Sequence, residues 1–210
     1  EMFGKIQNVT QSEDTPFYPR SPYGVSKLYA HWIVKNYREA YDMFNCSGIL
    51  FNHESEFRGS EFVTKKIIES VAKIKKGNST ILSLGNLDAK RDWGYAKDYV
   101  EGMYLMMQHK IPDDYVLATG VTTNIRKFVE IAFSKIDIIL EWKGNGLDEV
   151  GIDTKSGKIL VDINPKFFRP SEVDVLIGNF QKAKETLSWE PKVDVENLIT
   201  IMLNNENFWT

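Results

Sequence analysis

Tyr23 and Lys27 stand four residues apart in the run Tyr23-Gly24-Val25-Ser26-Lys27. On a helix this spacing puts both side chains on one face, where the lysine ammonium can lie near the phenol oxygen. A positive charge so placed favours phenolate over phenol, and the pair can then take the proton of an alcohol. The pattern is short, and an exposed pair on an ordinary helix would produce it as well. Other chemistry-bearing groups follow in the chain. Asn52-His53-Glu54-Ser55 breaks an apolar run, and Arg91-Asp92-Trp93 sets a guanidinium near an aromatic ring.

The elements that must carry these groups can be read from periodicity. Pro22 suits a first helical turn capped by Ser21, and Val25, Leu28, Tyr29, Trp32 and Ile33 recur at helical spacing. A long buried helix from Pro22 to about Phe44 is expected, entered from a Pro-rich extended loop. Cys46 to Asn52 reads as a buried parallel strand, which places the polar cluster at a strand's C-terminal end, where open α/β sheets bind ligands. Further helices are expected from Glu61 to Lys76, from Ala96 to Gln108 and from a Thr123/Asn124 cap to Lys135. Strands are expected at Thr80–Leu84, Tyr115–Ala118, Ile136–Trp142 and Ile159–Ile163, with two helical patterns flanking Pro191. This alternation makes the fold class α/β, built in layers.

Composition sets outer limits. Of 210 residues, 42% are hydrophobic and 26% charged, which excludes a disordered or collagen-like chain. The 26 basic and 29 acidic residues give a net charge of -3, so no broad basic field exists to hold nucleic acid. No apolar stretch approaches the roughly 18 residues that span a bilayer. One cysteine, Cys46, cannot form an internal disulfide, and together with the lack of a leader this gives a cytoplasmic reading without membrane partners. No metal site is expected.

Several long motifs then occur in a specific order. They are Pro16-Phe17-Tyr18-Pro19-Arg20-Ser21-Pro22-Tyr23-Gly24, Phe51-Asn52-His53-Glu54-Ser55, Ser83 through Gly94 with Arg91-Asp92-Trp93 inside it, and Phe168-Arg169-Pro170-Ser171-Glu172-Val173-Asp174. In these the sequence resembles, essentially from end to end, the GDP-mannose 4,6-dehydratases of the extended short-chain dehydrogenase/reductase group. The resemblance implies the end of a Rossmann-type parallel-sheet domain followed by a smaller α/β substrate-binding domain. Residues 1–55 would be the C-terminal part of the NAD(P)-binding domain, with later segments returning to it, and residues 56–210 mainly the nucleotide-sugar domain.

The implied reaction oxidises C4 of GDP-mannose transiently, eliminates water across C5 and C6, and returns the hydride to C6, giving GDP-4-keto-6-deoxymannose. Tyr23 matches the family's catalytic tyrosine, and Lys27 the lysine that holds the nicotinamide ribose and tunes that tyrosine. Glu1, in Glu1-Met2-Phe3-Gly4, matches the glutamate that handles the C5 proton. His53 and Arg58 fall on dinucleotide-contacting positions. Asn52, Lys66, Arg91, Arg169 and Glu172 resemble the GDP-sugar site, in keeping with a diphosphate's need for Arg and Lys donors. The cofactor is expected to be NADP, with NAD not excluded, and the partners GDP-mannose and further copies of the chain in a dimer or tetramer. Other readings are an epimerase or decarboxylase of the same group, or a non-catalytic nucleotide-sugar-binding subunit; an epimerase needs no carboxylate like that of Glu1.

Two departures from the family pattern stand out. Glu56-Phe57-Arg58-Gly59 replaces Pro-Arg-Arg-Gly, losing one Arg and adding an acid. No Gly-x-x-Gly-x-x-Gly occurs, and Gly144-Asn145-Gly146 follows no suitable βα turn, so the phosphate fingerprint is missing. The sequence therefore reads as the C-terminal portion of a larger enzyme, inactive by itself, with a Gly-rich turn and a catalytic Thr expected upstream of Glu1. The 210-residue chain alone should show no NADP+ binding by calorimetry; tight binding would refute the missing phosphate site.

Overall fold

The computed structural model describes residues 1–167 and 177–206. In chain order the elements are α1 (Pro22–Tyr41), β1 (Ser47–Leu50), β2 (Asn52–Glu54), α2 (Val63–Lys75), β3 (Leu82–Leu84), β4 (Lys90–Arg91), β5 (Trp93–Tyr95) and α3 (Ala96–Gln108). They continue with β6 (Asp114–Leu117), β7 (Thr123–Asn124), α4 (Ile125–Ser134), β8 (Leu140–Lys143), β9 (Val150–Asp153), β10 (Ile159–Ile163), α5 (Gln181–Leu187) and α6 (Val195–Glu206). The fold is α/β. The chain forms two compact units: residues 1–53, 90–122 and 171–194 make the first, and residues 54–89, 123–170 and 195–210 the second.

In the first unit β1 and β6 run parallel, with Ser47 opposite Asp114 and Leu50 opposite Leu117. Alternation sends successive side chains of β6 to opposite faces. Tyr115 and Leu117 join Tyr99, Met106, Ala183, Leu187 and Trp189 in one core, while Val116 and Ala118 join Phe3, Ile49 and Phe51 in another. Burial on both faces is what a parallel pair requires. Arg38 of α1 grips Asp114 with two parallel bonds, Nη1 to Oδ1 at 2.9 Å and Nη2 to Oδ2 at 3.0 Å, and Nη1 also donates to the Asn45 carbonyl at 2.9 Å. That fork ties the end of α1 to the start of β6. Trp189 donates its indole N–H to the Asp98 carbonyl at 2.8 Å, and the Asp98 carboxylate accepts from the Lys192 and Val193 amides.

The second unit holds a four-stranded sheet in the order β3-β10-β9-β8, parallel between β3 and β10 and antiparallel elsewhere. Its helices α2, α4 and α6 pack on one another, burying Ile67, Ile68, Val71, Phe128, Val129, Leu198, Ile199 and Met202. Asn124 caps α4 as expected, its Oδ1 accepting from the Lys127 amide at 2.7 Å. Asp153 closes the β9–β10 turn by accepting from the Lys155 and Ser156 amides.

Four expectations need correction. α1 stops at Tyr41, because Asp42 turns left-handed at φ 52°, and does not reach Phe44. The strand expected from Cys46 to Asn52 ends as β1 at Leu50, with the polar Asn52–Glu54 forming a separate β2, and β8 begins only at Leu140, since the Ile138 amide turns back to the Phe133 carbonyl. Most important, α1 is not a buried helix. Only Gly24 and His31 are buried on it, and Val25, Tyr29, Trp32 and Ile33 are exposed. Their helical spacing is present, but nothing among the described residues covers the face they form.

His31 packs edge-on against Phe17, ring centroids 5.1 Å apart. Burial holds its imidazole below the ordinary value, against the opposing pull of Asp114. Neutral histidine is thus favoured in the fold. Its stabilising share is complete above the unfolded value near 6.5 and is lost as pH falls through the lower folded value. A His31→Gln variant should accordingly lose less stability than the parent between pH 7 and pH 5, measured as urea midpoints; an equal loss would exclude this group as the source.

Candidate functional site

The head of α1 is assembled around one hydroxyl. Ser21 has extended backbone angles, φ −141° and ψ 154°, and its Oγ accepts from the Gly24 amide at 3.0 Å while Pro22 opens the first turn. The same Oγ donates to Glu1 Oε2 at 3.0 Å. Residues 3–5 reach this place by pairing with Tyr18: the Tyr18 amide donates to the Phe3 carbonyl and the Lys5 amide to the Tyr18 carbonyl. Phe3 anchors the segment against Phe17 and Phe51. Gly24 permits the approach, because a Cβ there would stand 2.8 Å from the Glu1 carbonyl oxygen.

Tyr23 and Lys27 project from this first turn into solvent. Lys27 Nζ lies 5.5 Å from the centroid of the Tyr23 ring, so the ammonium rests against the ring face, and it makes no ion pair among the described residues. Glu1, Tyr23 and Lys27 therefore meet at the head of α1, and Arg91 lies in the same unit, its Nη1 donating to the Lys90 carbonyl at 2.7 Å.

Asn52 and His53 follow β1 in the same unit, Asn52 exposed and His53 half-buried. His53 Nδ1 lies 2.8 Å from the Phe51 carbonyl, which can only accept, so Nδ1 carries the proton and Nε2 is the acceptor nitrogen of the neutral ring. Its ring packs on Tyr99 at 5.5 Å.

Arg58 and Lys66 lie in the second unit. Arg58 Nε pairs with Glu54 Oε2 at 3.0 Å, and its guanidinium covers the Phe62 ring at 3.4 Å. Glu54 is buried and also accepts from Thr64 Oγ1 at 2.6 Å. Lys66 lies over the Phe167 ring, Nζ 3.3 Å from its centroid. Desolvation pulls the Lys66 ammonium down and the Asp162 charge opposes it. Arg169 and Glu172 lie outside the described residues.

Sequence reasoning missed two groups. Ser21 was legible as a cap but not as the partner of Glu1, a residue twenty positions away. Asp92 was visible only as a letter between Arg91 and Trp93, yet it is buried and accepts from the Thr119 amide and hydroxyl and from the Gly120 and Gly178 amides. A lone Asp in a strand gives no sequence signal for such a role.

The family model described as GDP-mannose 4,6 dehydratase matches residues 1–202. The GDP-mannose 4,6 dehydratase of Dictyostelium discoideum is 56% identical over 203 residues, covering 97% of this chain and 57% of the relative. The protein of that name from Homo sapiens is 53% identical over 204 residues, covering 97% and 55%. The chain thus spans little more than half the length of these relatives. A solved structure of RMD from Pseudomonas aeruginosa complexed with NADPH superposes with a TM-score of 0.81 over 99% of this chain and 63% of that one. At 17% identity that likeness shows a shared fold.

Ser21→Ala should remove both the cap and the Glu1 tether, at a stability cost of about 1 kcal/mol by chemical denaturation. Ser21→Thr should recover most of it, and an unchanged midpoint for the alanine variant would show that the hydroxyl bears no load.

Proposed function

Because the chain belongs to the GDP-mannose 4,6-dehydratase family, we propose that it is the C-terminal part of an enzyme that converts GDP-mannose to GDP-4-keto-6-deoxymannose. The observation that carries this reading is the Ser21 hydroxyl, which tethers the Glu1 carboxylate to the helical turn bearing Tyr23 and Lys27. One base for an alcohol and one for a carbon acid are thereby held at the same helix end, as an oxidation followed by elimination requires.

In this reading Tyr23 takes the proton of the C4 hydroxyl, and the Lys27 ammonium lies beside its ring. The C4 ketone acidifies the adjacent C–H bond. Glu1 then removes the C5 proton, the C6 hydroxyl departs as water after protonation, and C5 is reprotonated when the C5–C6 double bond is reduced. A bound nicotinamide dinucleotide would supply the acceptor and donor of hydride. NADP is the proposed dinucleotide, with NAD the alternative.

The exposed Lys27 ammonium and Tyr23 phenol suit the nicotinamide-ribose end of such a group, and the His53 edge suits a neighbouring polar contact. Arg58 would have to exchange Glu54 for a cofactor phosphate. For GDP-mannose we propose Asn52, Lys66, Arg91, Arg169 and Glu172. Residues 1–55 would belong to the dinucleotide domain, with later segments returning to it, and residues 56–210 mainly to the sugar domain.

The parent enzyme is proposed to be cytoplasmic and homo-oligomeric; the uncovered Tyr29, Trp32 and Tyr37 on α1 support the second of these. Among the described residues no helix is long and apolar enough to cross a membrane.

Two substitutions in the full-length parent test the roles together. Tyr23→Phe should lower turnover by at least about a hundredfold while GDP-mannose still binds, and unchanged turnover would remove Tyr23 from the chemistry. Glu1→Gln should permit C4 oxidation but stop solvent deuterium from entering C5; exchange at the normal rate would exclude Glu1 as that base.

A further inference from the structure

Asp92 separates β4 from β5 and is 1% exposed. Its Oδ1 accepts from the Thr119 amide at 2.8 Å and the Thr119 hydroxyl at 2.6 Å, and its Oδ2 from the Gly120 amide at 3.0 Å and the Gly178 amide at 3.2 Å. Four donors from two distant chain segments converge on one carboxylate. Burial pushes that carboxyl upward, and the bonds from Thr119, Gly178 and Gly120 pull it back. Gly178 is required at this junction, since a Cβ on it would stand 2.1 Å from the Ala118 Cβ. The same segment is fastened from its other side by Gln11, whose amide donates to the Ile177 carbonyl, whose carbonyl accepts from Asn179, and whose Oε1 accepts from the Ile177 amide.

Arg91 closes β4 and is joined directly through the backbone to Asp92, so locking Asp92 restricts the backbone that carries Arg91, which is half-buried and whose Nη1 donates to the Lys90 carbonyl at 2.7 Å. On the other side of Asp92, Trp93 opens β5 and is buried, which holds the chain there as well.

We propose that Asp92 is a positioning residue for substrate binding: its carboxylate, locked by Thr119, Gly120 and Gly178, fixes the direction in which Arg91 is presented to the nucleotide sugar. The role rests on the reading of Arg91 given under Proposed function. An arginine must meet a diphosphate in a set geometry to use its fork, so loosening the strand weakens binding without removing a reacting group.

The test uses the full-length parent enzyme and steady-state kinetics with GDP-mannose. Asp92→Asn should raise KM on the order of tenfold, with kcat changed less than about threefold. Arg91→Ala should raise KM as well, and adding Asp92→Asn to it should change KM little further, because two residues acting through one contact are not additive. If the two KM effects multiply in the double variant, or if Asp92→Asn lowers thermal stability and leaves KM alone, Asp92 is structural and the proposal is overturned. Should Asp92→Asn fail to fold, Thr119→Val removes one donor and keeps the backbone ones; a smaller KM rise, again absent in the Arg91→Ala background, supports the role, and an unchanged KM overturns it. No turnover by the unsubstituted full-length enzyme would overturn the reading beneath and this role with it, whereas normal turnover with additive variants overturns this role only.

Discussion

The parallel pairing of β1 with β6 is the constraint from which the candidate site follows. Parallel strands must present their C-terminal ends on the same side, and here Leu50 stands opposite Leu117 with the Phe51 amide donating to the Leu117 carbonyl at 3.0 Å. Asn52 and His53 leave one strand where Thr119 and Gly120 leave the other. Polar groups that would be scattered in an antiparallel arrangement are gathered at a single edge. Because both faces of the ladder are covered by apolar residues, its register cannot slip without moving Val116 and Leu117 to the wrong sides.

Buried carboxylates do the joining that hydrophobic contact cannot. A buried charge is tolerated only when donors surround it, and Asp92, Asp98 and Glu54 each meet that condition with a different mixture of backbone, hydroxyl and cationic partners. The requirement is directional, so each carboxylate specifies which turn sits where. Apolar packing around Tyr99 and Trp189 supplies cohesion, and the carboxylates supply the choice among similar packings. The Ser21 hydroxyl is the surface counterpart, using both of its capacities, donor and acceptor, at once.

Much of this was legible in the sequence, and the exceptions have a common cause. The span of α3, the Asn124 cap and the strand at Ile159–Ile163 are set by local periodicity and local side-chain bonding, and the structure has them where the pattern puts them. The Tyr23–Lys27 spacing was likewise local. The exposure of α1 was not legible, because periodicity reports which face is apolar and says nothing of what covers it. Nor could the pattern reveal Asp92 meeting Gly178, 86 positions along the chain, or Ser21 meeting Glu1. Glu1 was reached only through resemblance, since no spacing rule marks a solitary carboxylate.

Trp189 closes the core that also contains Tyr99, Met106, Tyr115 and Leu117. On a ribosome the strands and helix around that tryptophan emerge first and must wait, their apolar sides wet, until residue 189 has been made. Synthesis proceeds at about 5–20 residues per second, so the interval between Tyr99 and Trp189 lasts several seconds. During that time Tyr115 and Leu117 of the growing polypeptide lack the ring that covers them in the folded core. Until that single indole ring arrives, this core has no lid.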